Sequence, residues 1–262
     1  MWKWEAEGQP KALVVIVHNA YEHHLRYAWL IQKLRTGGFH VVTSDLPGHG
    51  SENGRRIHDE TFESYISHVK KMIEVGMLDS LPVFVLGHGL GASLLMHILQ
   101  REKLECAGFI FSSPWLSMKH QPSKFSGVLT KLSSSMKVNH DITIELLTRN
   151  YEMYIEFQND RNYSSQVVAS WYRELQAMMK SIITHEESIQ DIPVLVHTGG
   201  QDKITEIATA KKWLVNQQLS DFQYKEWKRL YHDLYQEPER EEVYLFIESF
   251  MNNVLRSLGY IV

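Results

Sequence analysis

The chain has 262 residues, a formal net charge of −4, 44% hydrophobic and 22% charged residues, and an isoelectric point near 6.4. That length accommodates one large domain with an insertion and excludes two ordinary domains joined by a linker. The charge balance excludes a basic footprint for nucleic acid or an anionic membrane. The single cysteine, Cys106, excludes an intrachain disulfide and is expected inside a buried strand.

The N-terminal stretch MWKWEAEGQPKALVVIV carries acids and an apolar run of only six residues. It offers neither the apolar region of a signal peptide nor a span of about 20 apolar residues. A cytoplasmic location with no transmembrane segment is expected, which leaves transient contact with a membrane surface open.

Trp2–Glu5 alternates like a half-buried edge strand. Leu13–Val17 is a continuous β-branched run, the pattern of a strand buried on both faces of a parallel sheet, and it ends in His18-Asn19-Ala20. Loops at the carboxyl ends of such strands are where open α/β sheets place their sites. Leu25–Leu34 has helical spacing and stops at Gly37-Gly38; Phe39–Leu46 reads as a strand running into the turn-rich loop Asp45-Leu46-Pro47-Gly48-His49-Gly50-Ser51. Thr61–Val75 carries Phe62, Tyr65, Ile66, Val69, Met72 and Ile73 on one helical face.

The stretch Leu81–Leu99 reads as strand, tight turn and helix around the pentapeptide Gly87-His88-Gly89-Leu90-Gly91. Its outer glycines stand where a G-x-S-x-G nucleophile elbow needs small residues, and its centre is Gly89. Cys106–Phe111 is the next strand. Residues 115–187 then break the strand–helix rhythm, with helical stretches at Ile142–Leu147, Tyr151–Phe157 and Val167–Ile183. This segment is expected to form a helical cap over the carboxyl edge of the sheet, with residues 1–114 and 188–262 forming the core. The rhythm resumes with a strand at Ile192–His197, a turn at Gly199–Lys203, a helix at Ile207–Leu214, a strand at Phe222–Trp227 and a closing helix at Glu239–Leu255. The fold class is α/β, a mostly parallel sheet with helices on both faces.

With an acid after a late strand, Asp202, and a histidine after the last one, His232, the order is that of an α/β-hydrolase. The chain resembles the monoacylglycerol lipase and bacterial lysophospholipase branch of that fold, among serine aminopeptidase S33-type hydrolases. The resemblance rests on His18–Tyr27 against H-G-x-x-E-H-x-x-R-Y, on Asp45–Ser51 against D-x-x-G-H-G-x-S, and on Gly87–Gly91 against G-H-S-x-G. Trp171–Leu175 and Leu230–Arg240 are similar to bacterial members.

Ester hydrolysis on this fold needs an elbow hydroxyl, a histidine to take and return its proton, a carboxylate to orient that histidine, and main-chain donors for the oxyanion. The resemblance implies that His232 is the base, Asp202 its partner, and the N–H groups of Leu90 and of Asn19 or Ala20 the oxyanion donors. Gly89 occupies the nucleophile position without a hydroxyl, and loss of such a serine costs about 10⁶-fold in turnover. Glycine also relieves about 1–3 kcal/mol of backbone strain there. Asn19 stands where the family pattern has glycine. Its residue type tolerates positive φ, and its amide can occupy the oxyanion hole. Leu25, also in place of a glycine, is expected to face the core.

Ser93 is expected to point away from the site. Ser51, Ser112 and Ser113 lie on loop ends that do not aim them at His232. The 14 histidines include no H-E-x-x-H or similar ligand pattern. No metal and no cofactor are expected. Two function classes follow. The first is a catalytically impaired pseudo-hydrolase that binds a small lipid or acyl ester, or a protein partner. The alternative is an active carboxylic-ester hydrolase with another nucleophile, or one in which Gly89 is an engineered substitution. Met153, Trp171 and Met178, with Met136 and Met179, are expected to line an acyl-chain site under the cap.

Overall fold

Two alternating sets of side chains on one strand set the architecture. The computed structural model, which describes residues 1–50, 57, 60–120, 133–164 and 166–262, places Leu13, Val15 and Val17 of β2 (Ala12–Val17) in one apolar core. Ala12, Val14 and Ile16 lie in the other. All six are fully buried, so β2 is an interior strand covered on both faces, and each such aliphatic side chain contributes about 1.5–3 kcal/mol.

β2 lies between β3 (Phe39–Thr43) and β4 (Val83–His88) and is parallel to both. β5 (Gly108–Ser112), β8 (Val194–Gly199) and β9 (Phe222–Trp227) extend the sheet in parallel beyond β4. The short β1 (Trp2–Trp4) pairs antiparallel with β3 at the far edge, as its alternation predicts. The order is β1-β3-β2-β4-β5-β8-β9. Helices α2 (Phe62–Gly76), α3 (Leu90–Leu99), α6 (Ala169–Thr184) and α7 (Ile207–Asn216) share the first core. Helices α1 (Ala28–Thr36) and α8 (Arg240–Ser257) share the second.

Between β5 and α6 lie α4 (Ile144–Leu147), α5 (Tyr151–Gln158) and an antiparallel pair, β6 (Lys137–Asn139) with β7 (Gln166–Val168). The segment expected to be a mostly helical cap thus also holds a short antiparallel pair, and its last helix, α6, packs on α2 and α3 and leads to β8. Ser51 and residues 121–132 of the insertion lie outside the described residues.

Two local expectations are corrected. Leu25 is 58% exposed rather than facing the core. The chain there is a 3₁₀ turn, His24–Tyr27, whose inward positions are taken by His24 and Tyr27. Cys106 is only half-buried and precedes β5, which begins at Gly108; burial pushes its thiol up to about 12.

Candidate active site

β4 passes into α3 through Gly89, whose backbone lies at φ +53°, ψ −114°, a region that L side chains adopt only under strain. The flanking glycines are demanded by contact. A Cβ at Gly87 would stand 2.6 Å from the main-chain nitrogen of Ala92, and one at Gly91 would stand 2.3 Å from the carbonyl oxygen of Val17. The elbow geometry is thus complete except for the hydroxyl.

The acid and the base come from the turns after β8 and β9. Oδ1 of Asp202 accepts from the N–H groups of Ile204 (2.7 Å) and Thr205 (3.0 Å), and Oδ2 accepts from the Thr205 hydroxyl at 2.9 Å. Oδ2 also accepts from Nδ1–H of His232 at 2.8 Å. Both side chains are fully buried. Burial works against charge on Asp202, but His232 and the two N–H donors hold it below the usual carboxylate range. Burial likewise opposes charge on His232, and the Asp202 carboxylate outweighs it and raises the imidazole. Gly199 fixes the spacing, since a Cβ there would lie 1.9 Å from the carbonyl oxygen of Tyr231. Ser113, at φ +42°, donates its hydroxyl to the His232 carbonyl oxygen at 2.9 Å.

The other half of the site is occupied. Oδ1 of Asn19 accepts from the main-chain N–H of Leu90 at 2.9 Å and of Ala20 at 2.8 Å. Nδ2 of Asn19 lies 3.3 Å from Nε2 of His232. The main-chain N–H of Asn19 itself donates to Oε1 of Glu22 at 2.9 Å. Of the two candidates after β2, Ala20 is thus the one whose N–H converges with that of Leu90 on a common atom. Nε2 of His232 also accepts from the indole N–H of Trp115 at 3.1 Å. A proton on Nε2 would face two donors, so these contacts belong to the neutral ring protonated at Nδ1. Asn19 does not adopt positive φ; that conformation falls two residues later, at Tyr21 (φ +71°).

The profile of the serine aminopeptidase S33 family matches residues 8–239. The chain belongs to this family. The phospholipase YtpA of Bacillus subtilis (strain 168) is 35% identical over 260 residues, covering 97% of this chain and 100% of its own length. A monoacylglycerol lipase of Mycolicibacterium smegmatis is 24% identical over 92% of this chain and 88% of its own. The crystal structure of the Paleococcus ferrophilus monoacylglycerol lipase superposes with a TM-score of 0.83 at 25% identity, covering 97% of this chain and 98% of that one. A monoglyceride lipase variant from Saccharomyces cerevisiae, solved with a substrate analogue, has a TM-score of 0.84 at 16% identity, covering 96% and 90% of the two chains; this is a likeness of fold. The chain is a lipase- and phospholipase-like α/β-hydrolase of the monoacylglycerol lipase branch.

Within this family frame the motif histidines tie loops together. Nδ1–H of His18 donates to the Asn19 carbonyl at 2.6 Å, and Nε2 accepts from the N–H of Leu46 at 2.8 Å. His23 meets Asp160 and His24 meets Asp45. His88 bonds Oδ1 of Asp233 at 3.0 Å and Oγ of Ser112 at 3.1 Å. Ser112, His88 and Asp233 thus form a second Ser–His–Asp chain. All three are buried to within 3%, with no opening at the serine among the described residues. Ser93 donates to the Trp115 carbonyl at 2.7 Å, so neither Ser93, Ser112 nor Ser113 reaches Nε2 of His232.

His88, His232 and Asp233 are the described group whose ligand atoms lie close enough to share a cation. Asp233 there is already paired with Arg26 at 3.2 Å, and His232 with Asp202. A cation would have to enter beside a guanidinium, so the donor set does not fit a resident metal.

Of the expected ligand-lining residues, Trp171 is linked to the site through Tyr21 and Trp115. Its indole N–H donates to the Tyr65 hydroxyl at 3.0 Å, and its ring packs 5.6 Å from that of Tyr21. Tyr21 in turn lies 5.7 Å from Trp115 and stacks on His140 at 3.8 Å. Met178 instead borders an outer groove with Phe62, Ile66 and His97, because the apolar stripe of α6 serves α2 and α3. Met153 is buried in α5, and Met136 is half-exposed. Trp115 is a site residue that motif reading misses, its signal only its position on the loop after β5; Glu22 and Asp233 fall inside matched stretches that assign them no role.

Proposed function

We propose that this chain is a pseudo-hydrolase, a lipase-family frame in which hydrolysis of carboxylic esters is impaired by loss of the nucleophile. The observation that carries the reading is at Nε2 of His232. The groups facing it among the described residues are the Trp115 indole and the Asn19 amide, both donors, where a hydrolase presents a hydroxyl to be deprotonated. The Asp202–His232 pair is otherwise assembled. The ligand class that fits the frame is a small lipid or acyl ester.

A serine-directed fluorophosphonate tests the reading. The unmodified chain is expected to show no covalent labelling and no turnover of short-chain esters above a His232→Ala control. Stoichiometric labelling of any serine would refute it and would favour the active-hydrolase alternative.

A further inference from the structure

The loop after β2 and the elbow after β4 both depart from the family pattern, at Asn19 and Gly89, and the two departures meet in space. A Cβ built on Gly89 would lie 2.0 Å from Oδ1, 2.2 Å from Cγ and 2.7 Å from Nδ2 of Asn19. The carboxamide therefore fills the volume into which an elbow side chain would project. Its oxygen takes both N–H groups that would receive an oxyanion, at 2.9 and 2.8 Å. Its nitrogen faces Nε2 of His232, where a seryl hydroxyl would hand over its proton. Asn19 is 3% exposed, so swinging it out would leave two buried donors without acceptors.

We infer that the Asn19 carboxamide is a tethered acyl group, seated in the subsite that a substrate carbonyl and a seryl oxygen would share, so that Asn19 and an acyl ligand exclude one another at this site. The inference deepens the pseudo-hydrolase reading and rests on it for the identity of the subsite. It also names the ligand chemistry. Whatever replaces the side chain must bring an acceptor oxygen, as a carbonyl or carboxylate does, to the N–H groups of Leu90 and Ala20, and an N–H or O–H donor, as an amide or a carboxylic acid has, to Nε2 of His232. An alkyl group leaves the two donors unsatisfied.

Small untethered acyl compounds test this directly. Asn19→Gly and Asn19→Ala empty the subsite, and Asn19→Asp keeps it filled with a carboxylate. With acetamide and acetate as probes, the Gly and Ala variants are expected to bind at least about tenfold more tightly than the unmodified chain. The readouts are a ligand-dependent rise in Tm and a shift of the His232 ring resonances. Asn19→Asp is expected to bind neither probe, an outcome that general loosening of the loop would not produce. Equal binding by the unmodified chain and both emptied variants, or no binding by an emptied variant that circular dichroism shows to be folded, would overturn the inference. Failure of the pseudo-hydrolase reading is read separately, as fluorophosphonate labelling of the unmodified chain, and does not alter these binding ratios.

Discussion

The acid–base half and the acyl half of this site sit at the same end of one sheet, yet one is intact and the other is filled. Asp202 and His232 are held by bonds that need no substrate: two main-chain N–H groups and the Thr205 hydroxyl on the acid, and the Ser113 hydroxyl on the carbonyl behind the base. The N–H groups of Leu90 and Ala20 have a different dependence. In a working hydrolase their acceptor arrives with the substrate, and a buried donor with no acceptor is costly. The first half is satisfied internally. In the second, the acceptor is Oδ1 of Asn19, supplied by the chain itself.

The largest expected effect joins the two halves again. An Asn19→Gly/Gly89→Ser chain vacates the subsite and restores the hydroxyl, and short-chain ester turnover is expected to rise about 10³-fold or more over the unmodified protein. Adding His232→Ala should abolish that gain, and adding Asp202→Asn should remove most of it. If turnover rises and survives His232→Ala, the acid–base half is not the one described. The next largest effect concerns backbone packing. Gly91→Ala drives a Cβ to 2.3 Å from the Val17 carbonyl oxygen, and Gly199→Ala drives one to 1.9 Å from that of Tyr231. Each should destabilise by about 3 kcal/mol, measured by chemical denaturation. Gly199→Ala should also displace the His232 loop and lower turnover in the reactivated chain.

A smaller effect comes from pH. Burial holds His49 and His197 neutral, each pushed down to about 3. In the unfolded chain both take up a proton below about pH 6.5. Their contribution is therefore present above that value and is lost as pH falls toward 3, by up to about 1.4 kcal/mol per pH unit for each. Asp202, depressed below the usual carboxylate range, adds its loss only near pH 4 and below. Tm is expected to drop already between pH 6.5 and 5, and His197→Asn should make that drop shallower. A flat profile over this interval would contradict the neutral burial of these rings. The smallest effect is expected at Leu25, where Leu25→Ser should change stability by no more than about 0.5 kcal/mol, because the side chain is exposed.

Much of the frame is legible in the sequence because periodicity reports burial. The two-faced strand Leu13–Val17, the elbow glycines, and the acid and histidine after late strands are all visible without coordinates. The insertion is less legible. Gln166–Val168 and Lys137–Asn139 are too short to show a period of two, and α6 carries the same apolar stripe whether it roofs a site or packs on α2 and α3. Leu25 misleads because a 3₁₀ turn shifts the inward face by a fraction of a helical turn. At the site, the sequence shows that Gly89 and Asn19 both depart from the family pattern. It does not show that the two changes fill one volume, since that is a distance between loops 70 residues apart. Trp115 stays hidden for the same reason.

The central claim is that the subsite is occupied rather than merely missing its serine, and fluorophosphonate labelling rates of Gly89→Ser and Asn19→Gly/Gly89→Ser measure it most directly. With Asn19 in place the new Cβ meets the carboxamide at 2.0 Å and the oxyanion donors are already taken. The double variant is therefore predicted to label about a hundredfold faster than the single one. Equal rates would contradict the account.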